Sequence, residues 1–344
     1  MKKWLTNIAT MLFTTLIMLL ICELVIRFFL PQQLSQVKFL YDKDIGLQHV
    51  PYLEGSESYP GVYDFDVSNG ENGFRTSHKG AVPSFVNKKI MLIGDSFTYG
   101  KGVNDEETFA YRLQEALLKD SVQIINAGVE GRGTDHGLRT YQHYKDKYQP
   151  NTVIHFAHYN DLADNIRDEY FEIVNDSTFT PKKFDHLVGG TKAKLQKSKL
   201  YNWLISNSHF FALLKSVLVG ILMPDQIVRY EDGIDMDRAK KLTSGFLRQL
   251  QKEVEADGCK FIVFYIPSTH DIEARKKGER TEQEEFFINY FTENNIDFHN
   301  LSDDFIDSSE PEIVKHFYLP EGHWNPKGHQ LASEKLKIDA NGFY

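Results

Sequence analysis

Cysteine is almost missing from this chain: there are two in 344 residues, Cys22 inside an apolar run and Cys259 just ahead of a predicted strand. The two are not expected to meet within one chain, so no disulfide framework is predicted, and a chain of this length can build its core without one in any compartment. The thirteen histidines are scattered, without the short spacings of a metal site, so neither a metal nor another cofactor is expected. Positive charge is also in deficit. Lys and Arg number 39 against 48 Asp and Glu, a net charge of −9, which argues against a nucleic-acid partner and suits an ordinary acidic domain.

Long apolar runs are lacking too, with one exception. From Ile8 to Leu30 the chain is mostly apolar, preceded by Lys2, Lys3 and Trp4 and stopped by Pro31, with Glu23 and Arg27 as its charges. That length spans a bilayer core. No small-residue cleavage site follows it; Leu19, Leu20 and Ile21 are bulky where a signal peptidase requires small side chains, and Ile21 disfavours lipidation of Cys22. The run therefore reads as an uncleaved anchor, with Glu23 and Arg27 on one helical face, able to pair with each other or to reach the far interface. Lys2 and Lys3 favour a cytoplasmic N-terminus and an exported remainder, with Arg27, Lys38 and Lys43 pulling the other way.

What the sequence does contain is a series of strand ends carrying chemistry. The run Ile90-Met91-Leu92-Ile93 closes in Gly94-Asp95-Ser96 and enters a stretch with helical character. A strand that stops at turn-forming residues and reverses into a helix lifts a serine hydroxyl above the sheet edge, beside the partially positive helix N-terminus. Gly-Asp-Ser is equally a common turn and cap, so its meaning depends on the partners that the rest of the chain supplies. After the predicted strand Val122–Asn126, the loop from Asn126 to Thr134 contains Gly128, Gly131 and Gly133. Such glycines let backbone N–H groups approach a ligand, as an oxyanion site requires, or simply make a flexible loop capped by Thr134. After the strand Thr152–Ala157 comes His158-Tyr159-Asn160-Asp161, which places Asn160 at a strand's carboxyl end as an anion donor or a cap. Near the C-terminus, Glu321-Gly322-His323-Trp324-Asn325-Pro326-Lys327-Gly328-His329 supplies a histidine two residues from a carboxylate able to orient it. His329 falls inside the helix expected from Pro326, where a buried or capping role is expected.

With these segments in this order, the chain resembles the SGNH (GDSL-type) hydrolases from about Lys89 to its C-terminus, with a poorly matched middle. The resemblance implies a three-layer α/β/α fold with a central parallel sheet, flavodoxin-like, and serine esterase chemistry. It carries the family's catalytic serine onto Ser96, its oxyanion glycine onto Gly131, its oxyanion asparagine onto Asn160 and its catalytic histidine onto His323. The backbone N–H of Ser96 completes the implied oxyanion hole. The family usually places an aspartate shortly before the histidine; Pro320 and Glu321 stand there instead, so the orienting role passes to Glu321, one methylene longer. Asp95 is expected to be a turn residue and His158 to shape the acyl pocket. Gly73-Phe74-Arg75 is similar to an element that precedes the first strand in membrane-anchored members, and is expected beside the sheet.

The chain divides into a cytoplasmic tip and transmembrane anchor at 1–30, an extended or irregular lead-in at 31–87, and a hydrolase domain at 88–344 with an insertion at about 162–235. Within the insertion, Tyr201 to Met223 is strongly apolar but broken by polar residues. Its uninterrupted part is too short to cross a bilayer. It reads as a lid or membrane-surface helix over the active site, or as a helix packed on the core. From Met236 the pattern predicts a helix to about Ala256, a strand Lys260–Tyr265, a helix around Thr281 to Asn294, a short strand Ile296-Asp297-Phe298, and a final helix from Pro326 to about Lys337. The function expected is hydrolysis of an acyl ester outside the cytoplasm, an O-acetyl group on a cell-envelope or exported glycan being one candidate. Transfer of the acyl group to a sugar hydroxyl at the same site, and a catalytically silent envelope or glycan-binding role, are the alternatives.

Overall fold

A computed structural model of the chain describes residues 2–78, 86, 88–168, 170–175, 178–188, 190–222 and 233–340. Residue 87, Met223 and residues 341–344 lie outside these. The chain begins with α1 (Lys2–Phe29), then short strands β1 (Leu34–Ser35), β2 (Phe39–Asp42), β3 (Gly46–His49), β4 (Glu54–Tyr59) and β5 (Tyr63–Ser68). The alternation follows with β6 (Lys88–Ile93), α2 (Ser96–Tyr99), α3 (Phe109–Leu117), β7 (Val122–Asn126), α4 (Thr134–Tyr148), β8 (Thr152–Ala157) and α5 (Asp161–Asp168). A hairpin, β9 (Phe171–Asn175) and β10 (Thr178–Pro181), leads into α6 (Asp185–Val188), α7 (Thr191–Gln196), α8 (Lys199–Asn207) and α9 (His209–Leu222). The chain closes with α10 (Met236–Ala256), β11 (Lys260–Tyr265), α11 (Thr269–Arg275), α12 (Glu282–Glu293), β12 (Phe298–Asn300), α13 (Leu301–Asp307), α14 (Ile313–Phe317) and α15 (Pro326–Ala340).

The central sheet has five parallel strands in the order β12-β11-β8-β6-β7. Its two faces are written in alternation along the strands, because successive side chains point to opposite sides. Met91 and Ile93 face one core with Val153, Leu138 and Tyr141 of α4, Phe246 and Leu250 of α10, and Phe287 of α12. Ile90 and Leu92 face the other, with Ile154, Phe264, Leu113 of α3, Phe305 of α13 and Leu336 of α15. This is an α/β/α sandwich. β6 lies between β7 and β8, so the chain leaves it first to one side and later to the other. A cleft opens above the carboxyl ends of the strands at such a switch point.

The lead-in is built from antiparallel strands: β1, β4 and β5 form one small sheet and β2 with β3 a hairpin. Its apolar face, Leu53, Tyr63, Phe65 and Val67, packs on Tyr99 of α2. Gly73-Phe74-Arg75 does lie beside the sheet, Arg75 bridging to Asn126 at the end of β7.

Two expectations are corrected. The segment from Tyr201 is not a lid: α8 and α9 pack beside β1 and α1, and neither supplies a wall of the cleft above Ser96. The reason is polar as well as apolar, since the break at Ser208 is where Glu23 of α1 docks. The short strand near 296 starts later than the sequence predicts. Asn295 takes a left-handed backbone (φ 52°) and Ile296 N–H donates to Phe291 O at 2.9 Å, so Ile296 ends α12 as a buried plug and pairing begins at Phe298 opposite Val263.

Candidate active site

Ser96 is the first residue of a one-turn helix. Asp95 caps it, its carboxylate accepting from Phe97 N–H at 2.9 Å, and Gly100 ends it in a left-handed conformation. This turn, and the strand that precedes it, buried from Ile90 to Ile93, hold the hydroxyl at the sheet edge. Ser96 Oγ lies 2.8 Å from His323 Nε2, and His323 Nδ1 lies 3.1 Å from Glu321 Oε1. A carboxylate only accepts, so Nδ1 carries the imidazole hydrogen and Nε2 presents a lone pair to the serine hydroxyl. The chain of bonds runs hydroxyl to imidazole to carboxylate, with Glu321 in the place where the resemblance would put aspartate. Water reaches this edge: the His323 and Glu321 side chains keep 18% and 23% of their surface exposed.

The loop holding His323 is fixed from behind. Asn325 Oδ1 accepts from Lys327 N–H and Gly328 N–H, Pro326 begins α15, and Leu319 N–H donates to His323 O. Gly328 is required by contact, since a Cβ there would meet Phe317 O at 2.5 Å. His329 is buried and stacked on Phe109, its Nδ1 accepting from Phe109 N–H at 3.3 Å, and burial pushes its pKa well below the usual imidazole value. It does not reach the serine and serves the packing of α15 on α3.

Gly131 and Asn160 come to the same cleft, a cavity of about 480 Å³ whose walls include Phe39, Ser96, Lys101, Glu130, Gly131, His158, Asn160 and His323. The glycine loop is pressed onto α2: Val129 N–H donates to Gly94 O, and a Cβ on Gly128 would meet Tyr99 N at 2.5 Å. Gly131 itself has φ 64° with open space where a side chain would stand, so backbone N–H groups can face the cleft unshielded. Asn160 Nδ2 donates to Asp95 Oδ2 at 3.1 Å and to Asp164 Oδ2 at 3.2 Å. Both amide hydrogens are thus directed at carboxylates, and an oxyanion must compete with Asp95 for one of them. His158 Nδ1 donates to Ile266 O at 2.9 Å, its ring 4.6 Å from Phe97; it forms wall and takes no part in the serine–imidazole chain.

Several wall residues carry no motif that the sequence could reveal. Glu130 sits in the glycine loop, buried, with Lys38 Nζ at 3.0 Å and Lys101 Nζ at 3.8 Å. Burial alone would raise its pKa; the two ammonium groups outweigh that and hold it below the usual carboxylate range. Lys38 also meets Glu57 of β4 at 2.6 Å. Lys38 and Phe39 come from the lead-in, and only the tertiary docking of that segment brings them to the cleft. Among the described residues no group of His, Cys, Asp and Glu has the arrangement of a metal site.

An α/β/α sandwich with a serine at the end of its first sheet strand, a glycine loop after the next and a histidine just before the last helix defines a class of enzyme that hydrolyses ester bonds. The chain belongs to the GDSL-like lipase/acylhydrolase family, whose sequence model matches residues 90–336. Its fold is similar to that of a lipase/acylhydrolase from Enterococcus faecalis, at 14% identity and TM-score 0.42 over 74% of this chain and 96% of that one. It is also similar to the psychrotrophic esterase EstA from Pseudoalteromonas sp. (14%, TM-score 0.38, covering 75% and 98%). A two-domain esterase active on acetylated mannans matches at 12% and TM-score 0.41, over 74% of this chain and 49% of the other. No curated protein matches the chain in sequence.

Proposed function

We propose that the chain is a membrane-anchored serine esterase that removes a short acyl group, such as O-acetyl, from a cell-envelope or exported glycan, on the side of the membrane away from the cytoplasm. Residues 1–30 form the tip and anchor, 31–87 the lead-in, and 88–344 the hydrolase domain with its insertion at 162–235. The observation that carries the catalytic half is the bonded series Ser96 Oγ, His323 Nε2, His323 Nδ1, Glu321 Oε1. As Ser96 Oγ attacks the ester carbonyl, His323 Nε2 takes the hydroxyl proton, and the imidazolium that forms stays hydrogen-bonded to Glu321. The tetrahedral oxyanion is held by the N–H groups of Ser96 and Gly131 and by Asn160 Nδ2 once that amide turns from Asp95. Protonation of the leaving alkoxide by His323 leaves an acyl-serine, and water activated by the same imidazole releases the acid. The exposed edge of His323 and Glu321 gives water access, which favours hydrolysis over transfer. For the substrate half, the support is the character of the walls: Lys101, Glu130, Tyr159, Ser268 and His270 are suited to hydroxyl groups, with the Phe39 ring beside them.

The test uses the full chain in detergent with a short acyl ester and a phosphonate probe. Ser96→Ala and His323→Ala should each lower kcat by roughly 10⁴-fold or more, whereas Glu321→Gln should cost less. Probe labelling should disappear in Ser96→Ala; labelling that persists removes Ser96 from the nucleophile's role. Release of acetate from an acetylated polysaccharide checks the substrate half.

A further inference from the structure

The α8–α9 corner is docked on the N-terminal helix by an unusually complete set of polar bonds. The two helices meet at Ser208 with a bend of 101°. The Glu23 carboxylate of α1 accepts from Ser208 Oγ at 2.8 Å, from Phe210 N–H at 2.9 Å and from His209 N–H at 3.1 Å, so it caps the start of α9. Arg27 Nη2 donates to Glu23 Oε1 at 2.9 Å and to Asn207 O at 2.7 Å, tying the end of α8 to the same spot. Gln32 N–H donates to His209 Nδ1 at 2.8 Å. The charges that interrupt the apolar run of α1 are thereby occupied by the corner.

Both helices of this corner carry exposed apolar side chains. On α9, Leu214, Val217, Leu218 and Ile221 recur at the spacing of one helical face and are 41%, 48%, 45% and 69% exposed. On α8, Leu200 and Trp203 are 67% and 60% exposed. Soluble surfaces rarely leave such a patch open. The patch adjoins α1, whose apolar window is 0% buried and whose length fits a bilayer. At 1.5 Å per residue α9 is about 21 Å long, short of the roughly 30 Å core, so it does not cross.

We propose that the α8–α9 corner is a second membrane-seated element, its apolar face lying among the lipid acyl chains in the leaflet where α1 leaves the bilayer. The proposal rests on α1 being an anchor. It gives Glu23 a purpose: the carboxylate joins the two membrane elements at a shared depth.

The experiment reads tryptophan emission of the full chain in phosphatidylcholine vesicles whose acyl chains carry bromine. The chain has three tryptophans, and Trp324 is 0% exposed in the hydrolase core, out of reach of lipid. In Trp4→Phe, bromolipid should remove part of the emission, and the loss should vanish in Trp4→Phe/Trp203→Phe. Adding Leu218→Trp to that double variant should restore quenching. Trp203→Phe alone reports Trp4 and hence α1. If Trp4 is quenched while position 203 and the reporter at 218 are not, this proposal falls and the anchor stands; if none is quenched, both fall.

Discussion

His49 is a histidine kept neutral by its surroundings. It is 1% exposed, stacked on Tyr99 with ring centroids 3.9 Å apart, and its Nε2 accepts from Glu130 N–H at 3.4 Å. Burial lowers its pKa from 6.5 to about 3, with Lys38 and Arg75 adding to the effect and Glu130 opposing it. A folded-state pKa below the unfolded one means that the unfolded chain binds the extra proton as pH falls. The stability supplied by neutral His49 is therefore complete above about pH 6.5 and drains away as pH drops toward 3, at up to about 1.4 kcal/mol per pH unit. The expected outcome is that the acid side of the stability curve, followed by thermal unfolding between pH 7 and 4, is shallower in His49→Gln than in the unsubstituted chain. Equal slopes would show that His49 does not titrate as its burial implies. The same residue marks the boundary of what can be read without a structure. Ser96, Gly131, Asn160 and His323 announce themselves because turn and cap chemistry is local. His49, Lys38 and Phe39 carry no such mark, since only the docking of the β2–β3 hairpin brings them under the glycine loop.

Arg75 makes the corresponding case for an element. Its guanidinium is buried, Nε donating to Asp105 Oδ1 at 2.9 Å, Nη2 to Val103 O at 2.7 Å and to Asp66 O at 3.2 Å, and Nη1 to Gly100 O. One side chain thus ties β5, the end of α2 and the loop before α3 together, with Ser68 Oγ also donating to Asp105. Removing one partner of a buried pair leaves the other charged and unpaired, at about 3–5 kcal/mol. Arg75→Met should accordingly lower the stability measured by urea unfolding by that much and loosen α2, reducing kcat as well; a neutral result in both would make the lead-in an ornament. Long periodic elements such as α10 and β11 are legible in the sequence to within a residue. The short helices α11, α13 and α14 are not, because they close by capping and contact; Ser268 with Asp271 is a capping box seen clearly only once its geometry is known.

At the scale of the whole molecule, the proposed anchor makes topology decide which side of the membrane the cleft occupies. If α1 spans the membrane as proposed, Lys2 and Lys3 ahead of it should retain the N-terminus in the cytoplasm. A reporter active only after export, fused behind Tyr344, should be active, and protease added to spheroplasts should digest the hydrolase domain and leave a small anchored stub. A silent reporter with full protection would place the cleft in the cytoplasm and remove the envelope substrate with it.

Residues 30–33 are all that separate α1 from β1. Fully stretched, they cover about 14 Å, and β1 is already part of the folded body through its pairing with β4. With α1 in a bilayer, the cleft has no long leash. Its range is one domain width, on the order of 50 Å, plus that tether. If the proposed anchor and envelope substrate hold, an esterase kept this close would not patrol a thick wall or edit polymers already laid down far from the lipid surface. On the proposed function it would meet chains still near the membrane, as they emerge or while attached to a lipid carrier, and the timing of its action would be set by traffic past the anchor and not by diffusion of the enzyme.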